Sequence, residues 1–372
     1  MTCVLHVVDE TCDETAFQVL EVLCSRQSDD HFRHTVCSIS GPRAATARAY
    51  LSTRVHNADR RLSRHVNWSP RLADIARESN ADIVHAWGIE AAGACIARLG
   101  GTPLVLTQLD PGPTRDVAKW LRSFPRDAAV VAGSQVISSR MTAAGILPER
   151  IVVIRGPVDF KAITQARSGE FRDSLVGAGS PVVVLSGPAS RAGGQYYGVW
   201  AAAIVRQILP DIRVILPYAS RESERLLRFV RGIRMPSLLS VPSRPVTWAQ
   251  LVSAADVFMI PALDETCTES VGWAMAAGVP VVGSAVRSVA ELIADRSNGL
   301  LARPGVSRAL AAKLLTALED ADLRRRIAEV ARGQAYEVFG VRQFVDNYAR
   351  LYDNVRSGKP AGVGIHDSAM VA

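Results

Sequence analysis

Short apolar runs alternate with helix-like stretches along almost the whole chain, and that alternation leaves few folds open. CVLHVV is followed by a helical pattern from Glu14 to Arg26, then HTVCSIS, DIVHAW, a helical stretch from Ile89 to Leu99, and PLVLTQ. DAAVVAG, a helical stretch from Gln135 to Ala144 and RIVVI complete the series. Strands of about four to seven residues spaced by helices imply βαβ units and a mostly parallel sheet. The series pauses at RGPVDFKAI, where a Gly-Pro turn leads into a polar helical stretch, Ala162 to Leu175, that ends in GAGSP. It restarts with PVVVLSG, IRVILPY, SLLSVP, DVFMIP and VPVVGS, spaced by helical stretches Tyr196 to Ile208, Arg221 to Arg231, Thr247 to Ala254 and Glu269 to Ala277. The pattern predicts one doubly wound domain over 1–160, a second over 161–345, and a closing helix with a frayed tail over 346–372. GQAYEVFGVRQFVDNYARLYDNV is expected as one long amphipathic segment. Two such domains joined by a hinge frame a cleft, and open α/β sheets bind ligands beyond the carboxyl ends of their strands.

Composition supports this reading and removes several others. With 48% hydrophobic and 21% charged residues, 372 residues suffice for two cores. The net charge of +7 rests on arginine, since Lys119, Lys161, Lys313 and Lys359 are the only lysines among 43 basic residues. Arginines thicken from Arg43 to Arg71, with Arg48, Arg54, Arg60, Arg61 and Arg64 between them. That stretch reads either as a solvated basic face or as a contact for acidic lipid or a phosphorylated ligand. Nucleic acid is not expected, because few aromatics interleave with the basic residues and no nucleic-acid motif is present. Cys3, Cys12, Cys24, Cys37, Cys95 and Cys267 form no CxxC pair and have no His at zinc spacing, so neither a metal site nor a disulfide framework is expected. A reducing cytoplasm fits that pattern. MTCVLHVVDE reads as a first strand rather than a signal peptide, and no apolar run approaches the roughly 18 to 20 residues that span a bilayer.

The segment PALDETCTESVGWAMAAGVPVVGSAVRSVAELIADRSNGLLARPG, 261–305, resembles the nucleotide-binding half of GT-B glycosyltransferases, specifically the retaining family four, or group 1. In that family a Glu follows a Pro-containing strand end, a second Glu comes eight positions later at the head of an "EAMAxGxPVV" helix and strand, and an "NGLL" turn lies further on. Glu265, Ala274-Met275-Ala276, Gly278, Pro280-Val281-Val282, Glu291 and Asn298-Gly299-Leu300-Leu301 stand in those places. LHVVD, AGSQVISSRMTAAGILPERIVVIRGPVDF and VTWAQLVSAADVFMIP extend the resemblance over nearly the whole chain. It implies a GT-B fold of two facing Rossmann-like domains with a cleft between them, the closing helix crossing back to the N-terminal domain. It also implies a nucleotide-sugar substrate, transfer with retention and no metal or other cofactor. The acceptor is left open as a carbohydrate or a lipid-linked one, with contact at the inner face of an anionic membrane as a corollary of the latter.

Four family positions are replaced. Pro188 and Gly193 stand where the family has the Arg and Lys that neutralise the leaving diphosphate, Leu109 where it has a His, and Trp273 where the second Glu clamps the ribose. An indole donates one hydrogen bond and accepts none, so Trp273 cannot imitate that carboxylate. It either stacks on a flat ligand or fills the space the ribose would use. The remaining candidates each carry two readings. Glu265 meets the donor sugar or acts as an exposed first-turn acid. Thr268 and Glu269 line the donor site or serve as cap and first-turn acid of their helix. Arg191, with Gly187, Gly193 and Gly194 in the loop LSGPASRAGGQYYG, holds the diphosphate, or Arg191 is a solvated loop residue. His85, in DIVHAWG, is catalytic or a satisfied structural histidine, while Gln108 and Asp110 are placed to hold an acceptor hydroxyl. Asp9, Glu10, Asp13 and Glu14 repel an anion or cap a helix. Two functions follow: a glycosyltransferase, or a catalytically degenerate relative that binds a carbohydrate or a partner and regulates an active enzyme.

Overall fold

Runs of consecutive apolar residues become strands buried on both faces. All seven residues of β1 (Thr2–Val8) are buried. Val4 and Val8 face one apolar cluster and Leu5 and Val7 another, as the two-residue period of a strand requires. The computed structural model describes residues 1–27, 31–58, 71–110, 125, 128–166, 171–173, 179–186 and 191–365. These form two units, one of Met1–Pro157 with the segment from Val341, the other Val158–Gly340.

In the first unit, β1 joins β2 (Phe32–Ser38), β3 (Val55–Asn57), β4 (Ile83–Trp87), β5 (Leu104–Gln108), β6 (Ala129–Ala132) and β7 (Ile151–Val153). Their order is β3-β2-β1-β4-β5-β6-β7 and every neighbouring pair is parallel. The helices before the crossing are α1 (Glu14–Gln27), α2 (Gly41–Tyr50), α3 (Arg71–Glu78), α4 (Ile89–Arg98) and α5 (Gln135–Ala143).

The second unit repeats the design. β8 (Val182–Leu185), β9 (Arg213–Ile215), β10 (Leu239–Ser240), β11 (Val257–Ile260), β12 (Val281–Ser284) and β13 (Leu300–Ala302) lie in the order β10-β9-β8-β11-β12-β13, again all parallel. The helices are α6 (Phe160–Gln165), α7 (Gln195–Val205), α8 (Arg221–Gly232), α9 (Trp248–Ala254), α10 (Glu269–Ala277), α11 (Arg287–Ala290), α12 (Ser307–Glu319) and α13 (Ala321–Val338). Thr247 caps α9 by accepting from Gln250 N, and Ser220 caps α8 in the same way from Ser223 N, so local chemistry sets both starts.

The closing segment is two helices rather than one. α13 ends at Val338 and α14 begins at Val341, and the break is held by the Val158 amide, which donates to the Phe339 carbonyl at 2.9 Å. Phe339 is buried in the second unit, whereas α14 (Val341–Arg356) belongs to the first. α14 buries Phe344, Tyr348, Leu351, Tyr352 and Val355 at helical spacing against the β1 side of that sheet. Each such side chain contributes about 2 kcal/mol by leaving water.

Candidate active site

Each sheet reverses its strand order once, between β1 and β4 in the first unit and between β8 and β11 in the second. The carboxyl edge at such a point is where doubly wound sheets receive ligands. The two edges are furnished in opposite ways.

In the second unit α7 starts at Gly194, whose φ of +66° and closeness to β11 admit no side chain, since a β-carbon would lie 1.9 Å from the Pro261 carbonyl oxygen. The preceding loop is tied to the same strand end by the Leu263 amide, which donates to the Ala192 carbonyl at 2.7 Å. No side chain caps α7. The helix start, the positive end of its dipole, therefore stands at the carboxyl edge, the arrangement that suits an anion. Gly193 and Gly194 are buried and Arg191 is exposed, while Gly187 and Pro188 lie outside the described residues.

Glu265 follows β11 and is held by α11, where the Ser288 amide donates to Oε2 at 2.7 Å. Ser288 Oγ in turn accepts from the Thr266 amide at 3.0 Å. This arrangement orients a half-buried carboxylate, which an exposed first-turn acid would not need. The same carboxyl edge carries hydroxyls: Ser186 Oγ lies 2.7 Å from Ser270 Oγ, and the buried Thr266 Oγ1 and Ser284 Oγ have no hydrogen-bond partner. Thr268 stands at the N-cap of α10 without a side-chain capping bond, and Glu269, in the first turn, is buried. Arg287 is exposed, and its neighbour Ser288 does the holding.

Trp273 lies on α10, every residue of which is buried. It is 8% exposed and belongs to the apolar cluster that includes Trp248, Phe258, Ala335 and Phe339. The ring occupies space within the domain's core. Its burial stabilises the fold by about 2 to 3 kcal/mol.

The first unit's edge is filled by its own carboxylate. Asp9, fully buried, accepts from the Ala91 amide at 2.8 Å, in the first turn of α4, and from Thr11 N and Oγ1 at 2.8 and 2.5 Å. Gly88, at φ +99°, makes room, because a β-carbon there would come within 2.6 Å of Asp9 Oδ2. Asp13 caps α1 by accepting from Ala16 N at 2.9 Å. Burial pushes its carboxyl up to about 6, and the nearby Glu14 and Asp110 add to the shift. Gln108 Nε2 donates to the Asp110 carbonyl at 2.6 Å, and the buried Gln108 Oε1 has no partner. Leu109 is partly buried against the α1 side of the sheet. Of the basic stretch, Arg43 pairs with Glu14 at 3.6 Å and donates to the Glu10 carbonyl, and Arg48 donates to the Val55 carbonyl at 3.5 Å. Arg60, Arg61 and Arg64 lie outside the described residues.

His85 corrects a sequence expectation. It is fully buried, with Nδ1 2.8 Å from Tyr352 Oη and Nε2 2.7 Å from Thr107 Oγ1, which lies 3.0 Å from Tyr348 Oη. Both ring nitrogens are used to fasten α14 to the sheet, so His85 is a structural histidine and not one that meets a substrate. Its register partner His6 has Nε2 2.9 Å from His34 Nδ1 and accepts from Trp87 Nε1 at 3.1 Å. Burial, and then the neighbouring imidazoles, hold His6 and His85 well below the ordinary histidine range.

His6, Cys24 and His34 bring three potential metal ligands within 4.8 Å of one another. The Trp87 indole can only donate, so neutral His6 has its lone pair at Nδ1 and its proton at Nε2. That proton faces His34, and no lone pair of His6 is left for an ion beside Cys24.

The two parallel sheets define a class of fold: GT-B, built of two Rossmann-like domains. Residues 17–162 match the family model described as Glycosyltransferase Family 4, and residues 181–320 the one described as Glycosyl transferases group 1. The chain belongs to these group 1, family-four glycosyltransferases. Among solved structures, HepE of Anabaena in complex with UDP-glucose superposes with a TM-score of 0.80 at 20% identity, covering 95% of this chain and 100% of that one. Among curated proteins, alpha-maltose-1-phosphate synthase of Mycolicibacterium smegmatis is 25% identical over 323 residues, 76% of this chain and 82% of that protein. N-acetyl-alpha-D-glucosaminyl L-malate synthase of Bacillus anthracis is 26% identical over 154 residues, 41% of this chain and only 40% of its own length. Among the described residues no helix is long and apolar enough to cross a membrane.

Proposed function

We propose that this protein transfers a sugar from a nucleoside-diphosphate sugar to a carbohydrate or lipid-linked acceptor, with retention at the anomeric carbon and without a metal. The observation that carries the reading is the start of α7 at Gly194, packed on Pro261, which is itself four residues ahead of the oriented Glu265. Charge develops on the leaving diphosphate, and a helix N-terminus pointed at that charge stabilises it by about 1 kcal/mol. The positive end of the α7 dipole and Arg191 take the part of the cations that Pro188 and Gly193 replace. Glu265 Oε2 is held by Ser288, which leaves Oε1 for a donor-sugar hydroxyl. With Trp273 in the core, no carboxylate clamps the ribose at that position. Recognition then rests on the phosphates, and the nucleotide binds more weakly by about 1 to 3 kcal/mol. HepE, whose structure holds UDP-glucose, makes a UDP-sugar the first donor to try.

Cys267 supplies a direct test. It lies two residues beyond Glu265 and is half-buried, whereas the other five cysteines are buried. A thiol reagent should label Cys267 first, and UDP-glucose should slow that labelling. Labelling unaffected by every nucleotide and nucleotide-sugar tried removes the donor from this edge. In an active preparation, Glu265→Ala should lower turnover at least about tenfold, equivalent to roughly 1.4 kcal/mol of transition-state stabilisation.

A further inference from the structure

The helix α7 contains no charged residue, and its sequence QYYGVWAAAIV is apolar on more than the face it buries. A helix of that composition is expected to be covered all round. Here Gly198, Val199, Ala202 and Val205 pack into the domain, while Tyr196 and Trp200 stand 47% and 39% exposed, one turn apart. Both rings lie on Phe229 of α8, with centroids 4.8 and 5.4 Å away. The three rings form a ridge on the outer surface of the second unit. Beside it runs a stripe of guanidinium groups, since Arg221, Arg225 and Arg228 are all exposed and recur at i, i+4 and i+7 along α8. Glu222 is paired with Arg225 at 3.3 Å, and Glu224, five positions before Phe229, lies round the helix from the ridge.

We propose that this ridge docks on an anionic lipid surface. Trp and Tyr rings are the side chains that settle at the boundary of headgroup and acyl chain, and arginines beside them meet anionic headgroups. Other occupants fit less well. A sugar face stacked on the rings needs free carboxylates or amides to bracket its hydroxyls, whereas arginines outnumber acids along α8 and Glu222 is taken up by Arg225. A second copy related by two-fold symmetry would bring like-charged arginine stripes together. The proposal does not rest on the glycosyl-transfer reading, and it assigns the contact to α7 and α8 rather than to the basic stretch after Arg43.

The experiment is co-sedimentation of the whole chain with vesicles of phosphatidylcholine alone and of an equal mixture with phosphatidylglycerol. The protein should pellet with the mixed vesicles, less so as salt is raised, and its tryptophan emission should shift to the blue. Trp200→Ser should remove the emission shift and weaken binding at least about tenfold. Arg225→Gln combined with Arg228→Gln should weaken it about 25-fold, taking about fivefold for each arginine. These positions are on the surface, and an unchanged melting temperature verifies the fold of each variant. Failure to pellet with the mixed vesicles overturns the proposal, as does binding that survives Trp200→Ser but is lost in Arg48→Glu. Self-association that Trp200→Ser abolishes, without vesicle binding, assigns the ridge to a second copy and overturns it as well.

Discussion

Gly194 lies directly under the carbonyl of Pro261, so closely that a β-carbon would sit 1.9 Å from the oxygen. This contact seats the start of α7 on the strand end that leads to Glu265. Gly194→Ala must move one of the two backbones and also hold φ near +66°, at a cost of at least about 2 kcal/mol. Chemical denaturation of the variant should show that loss, together with weakened protection of Cys267 by UDP-glucose. A variant as stable as the parent would mean that the seat is not needed.

Trp273 is embedded in the core of the second unit. Trp273→Ala should destabilise the protein by about 3 to 5 kcal/mol, as truncation of large buried aromatics does. Restoring the family carboxylate by Trp273→Glu should destabilise it as well and produce no gain in nucleotide affinity, because a buried unpaired charge is added to the cavity. Tighter nucleotide binding by the Glu variant would show that the ring occupies a ligand pocket instead.

His6 and His85 are buried and held well below 6.5, the value they recover on unfolding. The unfolded chain therefore takes up protons below about pH 6.5 that the folded chain refuses. Stability should be level above that pH and fall below it, by up to about 1.4 kcal/mol per pH unit for each histidine. Urea midpoints measured between pH 5 and 8 test this. In His85→Gln the acid loss should be shallower by about one proton, and an unchanged slope would show that His85 is not one of the groups responsible.

Asp13 works in the opposite direction. Its carboxyl is raised to about 6 from an ordinary 3.8, so folding is penalised where the chain must ionise it. The penalty is absent below about pH 3.8, grows up to about 6 and is constant above. Asp13→Asn keeps an N-cap acceptor for Ala16. It should give no gain near pH 4 and raise stability at pH 7 by up to about 3 kcal/mol.

The architecture was legible because parallel strands buried on both faces leave uninterrupted apolar runs such as CVLHVV and PVVVL, and the helices between them leave their own period. α2 and β3 were not read, since GPRAATARAY and VHN carry no strong apolar period. At the site, Glu265 and the Gly193-Gly194 loop could be named from motif position, but not what holds them. Ser288 is 23 residues from Glu265, and Asp9 is 82 residues from the amide it receives. His85 keeps two readings in the sequence for the same reason. Its strand end suggested a ligand, and the tyrosines that enclose it arrive on α14, 267 residues later in the case of Tyr352. Trp273 could be seen to break the family pattern, but only packing shows that its ring lies in the core.

The most direct test of the donor site is thermal unfolding of the whole chain with UDP, GDP, ADP and their sugar conjugates at millimolar concentration. Ligand at about 100 times its dissociation constant adds about 2.7 kcal/mol to stability. The account predicts a rise in melting temperature with UDP and UDP-glucose that Arg191→Gln diminishes. No shift with any nucleotide would contradict it, and would mean that the α7 edge receives no diphosphate.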